Sequence, residues 1–315
     1  MLSQLSMAKS LRRSGHLQNR HVFSAFSDID RANFVPPSLS PGPSPSSFSS
    51  SVYSIQPLPI GHGATISAPN IHALCIDQVS SRHDSLLLSS SSKILDVGSG
   101  SGYLSAVFSK LLADLSKNAK PEDSTGYVVA LDHIPELIEQ SKQNMIRQFH
   151  TIPSNIRFVC CDGRKGAPSE YVPSNGFDAI VVGAETEIPV IRVLLSQMNF
   201  KGRLIAPVIT PHGTSMMLYH KESLPSGTSV EAEIGTTHED IHAKFRSGKL
   251  SVKTMQDKLS TSRAREGVVQ IGTQLHDGVI SPFRVIQSIG IGVVFIPLTS
   301  REAQTSGSRI FSPVF

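Results

Sequence analysis

The sequence predicts an α/β fold, doubly wound, with a mostly parallel sheet covered by helices on both faces. Three observations carry that prediction. Short β-branched runs alternate with helical patterns between residues 93 and 208, and strand–helix alternation builds parallel sheets. A glycine-rich turn, GSGSG at 98–102, joins the first of these runs to a helix. The next two runs end in acids, Asp132 and Asp162, at the edge of the sheet where ligands of such folds bind.

The predicted strands are KILDVG (93–98), YVVALD (127–132), IRFVCCD (156–162), FDAIVVGA (177–184) and RLIAPV (203–208). MMLYH (216–220) and IGVVFIPL (291–298) add two late, antiparallel strands, for seven in all. YLSAVFSKLL (103–112), PELIEQSKQNMIRQF (135–149) and IPVIRVLLSQM (188–198) read as helices, two of them opened by proline near the first turn. Three segments read as loops or inserts. SLSPGPSPSSFSSS (38–51) is too rich in Ser and Pro to bury a core. ADLSKNAKPEDSTG (113–126) is polar, and 223–280 is a long Ser/Thr/Gly-rich insert in which HEDIHAKFRSGKLSVKTMQDKL has helical character. The chain of 315 residues is read as one domain, with a cofactor-binding core at 55–220 and a last strand and contact segment at 281–304.

Composition narrows the function. The net charge is +4, with Lys and Arg interspersed among Asp and Glu, so a solvated surface is favoured over a nucleic-acid groove. No apolar run reaches the length of a membrane helix; the longest, IGIGVVFIPL (289–298), reads as a core strand. Cys75, Cys160 and Cys161 have no metal or disulfide spacing and read as reduced, buried packing residues of a cytoplasmic protein. The first 27 residues lack Asp and Glu and carry Arg12, Arg13 and Arg20, a composition similar to that of a mitochondrial transit peptide.

The chemistry begins at Asp96-Val97-Gly98-Ser99-Gly100-Ser101-Gly102. Glycines let a backbone pass close under a ligand, and the helix that follows turns its N-terminus toward polar groups. The spacing is G-x-G-x-G, with Tyr103 where a dinucleotide fingerprint needs its third glycine, and no Gly-Lys-Ser/Thr follows as a P-loop requires. Asp132 can accept from both ribose hydroxyls of an adenosine, or instead cap the helix opening near Pro135. Asp162-Gly163 offers a further acid for an adenine amino group. His238-Glu239-Asp240-Ile241-His242 fits the zincin pattern H-E-x-x-H, but it sits in a polar insert and is read as coincidence, with no metal assigned.

Glycine loop, ribose acid and Asp-Gly, in this order, resemble the class I S-adenosylmethionine-dependent methyltransferases. ATISAP (64–69) with His72, LDVGSGSGYL, LDHIPEL, DGR, FDAIVVGA, GRLIAPV and VVFIPLT with Gln304 are similar to the blocks of one family, the protein-L-isoaspartate O-methyltransferases. LRRSGHL…VFSAFSDIDRANFVP (11–36) resembles that family's N-terminal helical region, which argues against a transit peptide. The resemblance implies a Rossmann-like methyltransferase sheet and methyl transfer from S-adenosyl-L-methionine to the free carboxylate of L-isoaspartyl, and D-aspartyl, residues in damaged proteins and peptides. S-adenosyl-L-homocysteine would be the product, and the chain would act as a monomer without nucleic-acid or membrane partners. An alternative is a protein that binds S-adenosylmethionine as an adaptor with little catalysis.

By the same resemblance Ser67 is the active-site serine, with Thr65 beside it on the substrate. The cofactor set is Ile60, Gly61, His62, Gly63, Ser67, His72, Asp96, Gly98, Gly100, Asp132, His133, Asp162, Gly163, Thr299 and Gln304. Independent chemistry agrees. A carboxylate with a pKa near ~4 is already ionised at pH 7, so alignment by neutral donors matters more than a general base. Glu185 and Glu187 depart from the pattern, standing where the family usually has small neutral residues and proline.

Overall fold

In the computed structural model of the chain, residues 3–38, 52–82, 85–210, 213–223, 266–276 and 279–292 are described. Two helices open it, α1 (Gln4–Arg13) and α2 (Arg20–Asp28), followed by a 3-10 turn at Arg31–Phe34. Ser3 and Ser6 form a reciprocal capping box on α1, and Asn19 accepts from the N–H groups of His21 and Val22 to start α2. Met7, Leu11, Val22, Ala25 and Phe26 are buried in the main core. The N-terminal segment thus packs into the main core.

A hairpin, β1 (Leu58–Gly61) and β2 (Ala64–Ile66), leads into α3 (Pro69–Ser80), and two short strands, β3 (Ser81–Arg82) and β4 (Ser85–Leu86), pair behind it. The alternating unit then runs β5 (Lys93–Val97), α4 (Tyr103–Ser116), β6 (Tyr127–Asp132), α5 (Pro135–Phe149), β7 (Ile156–Cys160), β8 (Phe177–Val182), α6 (Ile188–Ser196) and β9 (Met198–Thr210). All five expected core strands and all three helices are present. Helix α4 continues four residues past its expected end, into the segment read as a loop.

Three more strands, β10 (Gly213–Ser223), β11 (Glu266–His276) and β12 (Val279–Gly292), complete an eight-stranded sheet of order β11-β12-β10-β9-β8-β5-β6-β7. The strands from β7 to β9 pair in parallel, and β10, β12 and β11 follow as antiparallel ribbons. Among the described residues the sheet has eight strands where seven were expected; of the expected last strand, 291–298, only 291 and 292 are described, as the end of β12. The extra one, β11, lies inside the stretch read as an insert, and β12 begins twelve residues before the expected late strand at 291. β12 is made by pairing with β10, distant in sequence, and β11 by pairing with β12; composition read locally does not reveal either.

Residue alternation divides the core between the two faces. Ile94, Val128, Ala130, Ala179 and Val181 point toward α1–α4, whereas Leu95, Val97, Val129, Leu131, Ile180 and Val182 meet α6. The strand order reverses between β5 and β8, so the carboxyl ends of these two neighbours open a crevice. Among the described residues, no helix is long and apolar enough to cross a membrane.

Candidate active site

The crevice at the ends of β5 and β8 is floored by the glycine loop. Gly98, Gly100 and Gly102 all take left-handed backbone conformations, with φ of 72°, 53° and 80°. At Gly100 a side chain would also press on Ile60, whose Cδ1 lies 3.2 Å from where a Cβ would stand. Gly183, at the end of β8, faces the loop so closely that a Cβ there would fall 2.7 Å from the Gly98 carbonyl oxygen. Its N–H donates to the Val97 carbonyl at 2.8 Å, which locks the two strand ends together.

The loop is pinned from the next strand. Asp132 accepts from the Gly100 N–H through Oδ2 at 3.0 Å and from the Ile134 N–H through Oδ1 at 3.0 Å. It thus bonds the residue at the start of α5 without being its N-cap, and it holds the glycine loop, a contact that the sequence alone does not offer; each oxygen keeps lone-pair capacity for a ribose hydroxyl. Burial raises its pKa, against the pull of these N–H donors. His133 stands beside it, Nδ1 being 3.6 Å from Oδ1, with its Nε2 buried and unpartnered. From α5, Ser141 donates to the Gly100 carbonyl at 2.8 Å and Asn144 to the Ser101 carbonyl at 2.9 Å.

Asp96 lies below the loop, 2% exposed, and accepts from the Ser105 hydroxyl at 2.6 Å. Burial lifts its pKa to about 6, with the nearby Asp132 carboxylate adding to the rise. A buried carboxylate of this kind is relieved by a cationic neighbour. Asp162, expected to face an adenine amino group, is engaged within its own turn. Its two oxygens are engaged by Arg164, Nε at 2.9 Å and Nη2 at 2.8 Å, and that pairing lowers its pKa. It also caps the short 3-10 turn Gly163–Lys165. Gly163 packs against Val97, where a Cβ would lie 2.5 Å from Cγ1.

Across the crevice stands the segment after β2. Thr65, Ile66 and Ser67 line the cleft together with His72 of α3, Asp96, Gly98 and Gly100. Pro69 at the first position of α3 turns the chain so that this hydroxyl-bearing strip ends at the mouth. Gly61, His62 and Gly63 depart from the expected strip along the cofactor: they form the exposed tip of the β1–β2 hairpin, with φ of 93°, 52° and 70°. Only Ile60 of that group reaches the glycine loop. Thr299, Gln304 and the His238–His242 motif lie outside the described residues, as do the Ser/Pro-rich loop from 39 to 51 and the helical stretch expected near 238–259.

Glu185 and Glu187 are not part of the cleft lining. Thr214 donates to Glu185 from β10, and Glu187 is exposed at the N-cap of α6. The cysteines separate in role. Cys75 is buried in the cleft wall, while Cys160, at the end of edge strand β7, is exposed, contrary to its reading as a packing residue. Sequence reasoning missed Tyr103, noted only as a broken glycine fingerprint. Its ring is buried in the cleft wall, 5.0 Å from that of His72.

The donor set fits S-adenosyl-L-methionine. A glycine floor admits the ligand's close approach, Asp132 is placed for ribose, Asp96 supplies buried negative charge for a sulfonium ligand, and the buried Ser99 hydroxyl and His72 Nδ1 have no hydrogen-bond partner.

A family model described as protein-L-isoaspartate(D-aspartate) O-methyltransferase matches residues 3–234. The chain is similar to the protein-L-isoaspartate O-methyltransferase of Triticum aestivum, 36% identical over 209 residues that cover 65% of this chain and 77% of the relative. Similarity to protein-L-isoaspartate O-methyltransferase 2 of Arabidopsis thaliana is 34% over 208 residues, covering 65% of this chain and 57% of that one. Among solved structures, one from Plasmodium falciparum, described as a protein-L-isoaspartate O-methyltransferase in complex with S-adenosyl-L-homocysteine, matches with a TM-score of 0.56 at 25% identity, over 70% of this chain and 90% of that chain. A second structure of that name shares the fold, with a TM-score of 0.53 at 20% identity, over 91% of this chain and 87% of that chain.

Proposed function

The chain belongs to the protein-L-isoaspartate (D-aspartate) O-methyltransferase family, and we propose that it methylates the free carboxylate of L-isoaspartyl, and D-aspartyl, residues in damaged proteins and peptides. The methyl donor is S-adenosyl-L-methionine and the product S-adenosyl-L-homocysteine. The observation that carries this reading is one cleft with two unlike walls: the pinned glycine loop on one side and Thr65-Ile66-Ser67 on the other. In this reading the chain works as a cytoplasmic monomer.

The bound cofactor supplies a methyl group made electrophilic by its sulfonium. The chain's own residues hold and align. Gly98 and Gly100 give the floor, Asp132 takes the ribose hydroxyls, and Asp96 sets a negative charge beneath the loop. Asp162 contributes by fixing the turn at Gly163, since Arg164 occupies its carboxylate. Ser67 and Thr65 hold the substrate carboxylate for attack, and no side chain has to remove a proton from a group already ionised. His72 stays neutral, burial first and the Arg31 charge second holding its pKa well below the usual imidazole range. Collapse of the ester to a succinimide then follows without help from the cleft.

Labelled methyl transfer to paired peptides, identical except for isoaspartate or aspartate at one position, tests the reading. Base-labile label on the isoaspartyl peptide alone is expected. Cofactor binding without transfer to either peptide would replace this reading with the adaptor.

A further inference from the structure

One buried charge beside the cleft does nothing in the chemistry above except help to keep His72 neutral. Arg31 opens the 3-10 turn after α2, and its side chain is fully buried. Nε donates to the Val52 carbonyl at 2.9 Å and Nη2 to the Gln56 carbonyl at 3.4 Å, while Nη1 has no acceptor. Among the described residues no carboxylate forms an ion pair with it. The preceding Asp30 is engaged elsewhere, its Oδ1 accepting from the Tyr53 hydroxyl at 2.9 Å and the Ala32 N–H at 3.0 Å. A buried cation without a counter-ion is costly, and burial lowers the guanidinium pKa to about 10.

The position of that charge is specific. Arg31 Cζ lies 6.0 Å from the centre of the Tyr103 ring, and the His72 ring centre lies 5.0 Å from that same ring centre. Gln4 ties the group together, accepting from the Arg31 backbone N–H at 3.1 Å and donating to the Tyr103 hydroxyl at 3.1 Å. Tyr103 and His72 are cleft wall, and His72 Nδ1 is a second buried polar atom without a partner.

We propose that Arg31 is the counter-charge for the substrate carboxylate, acting through the Tyr103–His72 wall as a positioning and specificity residue. The inference rests on the methylation reading, since it names what that substrate must carry. A fixed positive charge in a water-poor site attracts an anion more strongly than the same charge in solvent. Esterification makes the substrate group neutral, so the residue that draws the carboxylate in also lets the ester go.

The test measures binding, with the S-adenosyl-L-homocysteine complex of the full chain, of an isoaspartyl peptide and of its α-carboxamide twin by calorimetry. The wild type is expected to prefer the carboxylate by about tenfold or more, a difference of about 1.4 kcal/mol. Arg31→Met should abolish most of that preference, and Arg31→Lys, which keeps the charge, should retain most of it. Should Arg31→Met fail to fold by circular dichroism, Arg31→Gln replaces it. The wild type gives a further arm, because a buried charge is poorly screened. Its preference should persist when salt rises from about 0.05 to about 0.5 M. A preference unchanged in the neutral variants, lost equally in Arg31→Lys, or erased by salt overturns the proposal. Methyl transfer without an Arg31-dependent preference would sink this inference and leave the methylation reading. An Arg31-dependent preference without transfer would do the reverse.

Discussion

The two walls of the cleft are built in opposite ways. The cofactor wall is fixed by backbone: Gly98 to Gly102 are held by Asp132, Ser141 and Asn144, and Gly183 seals the strand ends from below. The opposite wall is side chain on a short hairpin and the first turn of α3, backed by Tyr103, His72 and a buried guanidinium with unused hydrogen-bonding atoms. The difference teaches a division of labour. The backbone of one wall is set before any ligand arrives, as recognition of an invariant cofactor favours, with the Ser99 hydroxyl and His133 Nε2 left unpartnered beside it. The other wall rests on side chains, for a substrate that arrives on many different proteins.

Substitutions can break that contrast in graded steps. Gly183→Ala should have the largest effect on the cofactor wall, because its Cβ would meet the Gly98 carbonyl oxygen at 2.7 Å. Cofactor affinity, read by calorimetry, is expected to fall about tenfold to a hundredfold, with the backbone of β5 and β8 forced apart. Asp132→Asn keeps the shape and removes the charge, so cofactor affinity should fall about tenfold, in line with one or two weakened charge-assisted bonds.

Asp96→Asn separates stability from binding. The folded-state pKa of Asp96, about 6, lies above its ordinary 3.8, so the native state holds the proton more tightly than the unfolded chain. Its contribution to stability is therefore greatest at low pH, falls as pH rises from about 4 to about 6, and stays low above that. The melting temperature of Asp96→Asn relative to the wild type should rise through the same window when no cofactor is added, and cofactor should stabilise the variant less. A constant difference between the two proteins across that pH range would contradict the buried charge. Glu187→Ala should have the smallest effect, less than about 0.5 kcal/mol in stability and no change in peptide binding, because Glu187 is exposed at the start of α6.

The same contrast explains what was legible in the sequence. The strands β5 to β9, the glycine loop and Asp132 follow from local patterns, since β-branched runs, glycine spacing and an acid at a strand end are each short-range signals. The position of Gly61–Gly63 was not legible, because glycines serve a hairpin tip as well as a ligand strip, and only the pairing of β1 with β2 decides between them. The engagement of Asp162 was not legible either, because nothing in Asp-Gly-Arg says that the arginine folds back on the acid. Arg31 carries no local signal of burial; it is buried because Gln4, Val52, Gln56 and Tyr103, distant in sequence, meet around it. Strand β11 was hidden because it lies within a stretch read as a polar insert, and only its pairing with β12 marks it as a strand.

Ser67→Ala tests the separation of the two walls most directly. Turnover with an isoaspartyl peptide should drop about a hundredfold, the scale of one lost orienting donor, while S-adenosyl-L-homocysteine affinity stays within about threefold of the wild type. Equal losses in turnover and in cofactor affinity would contradict the account, because Ser67 would then belong to the cofactor wall.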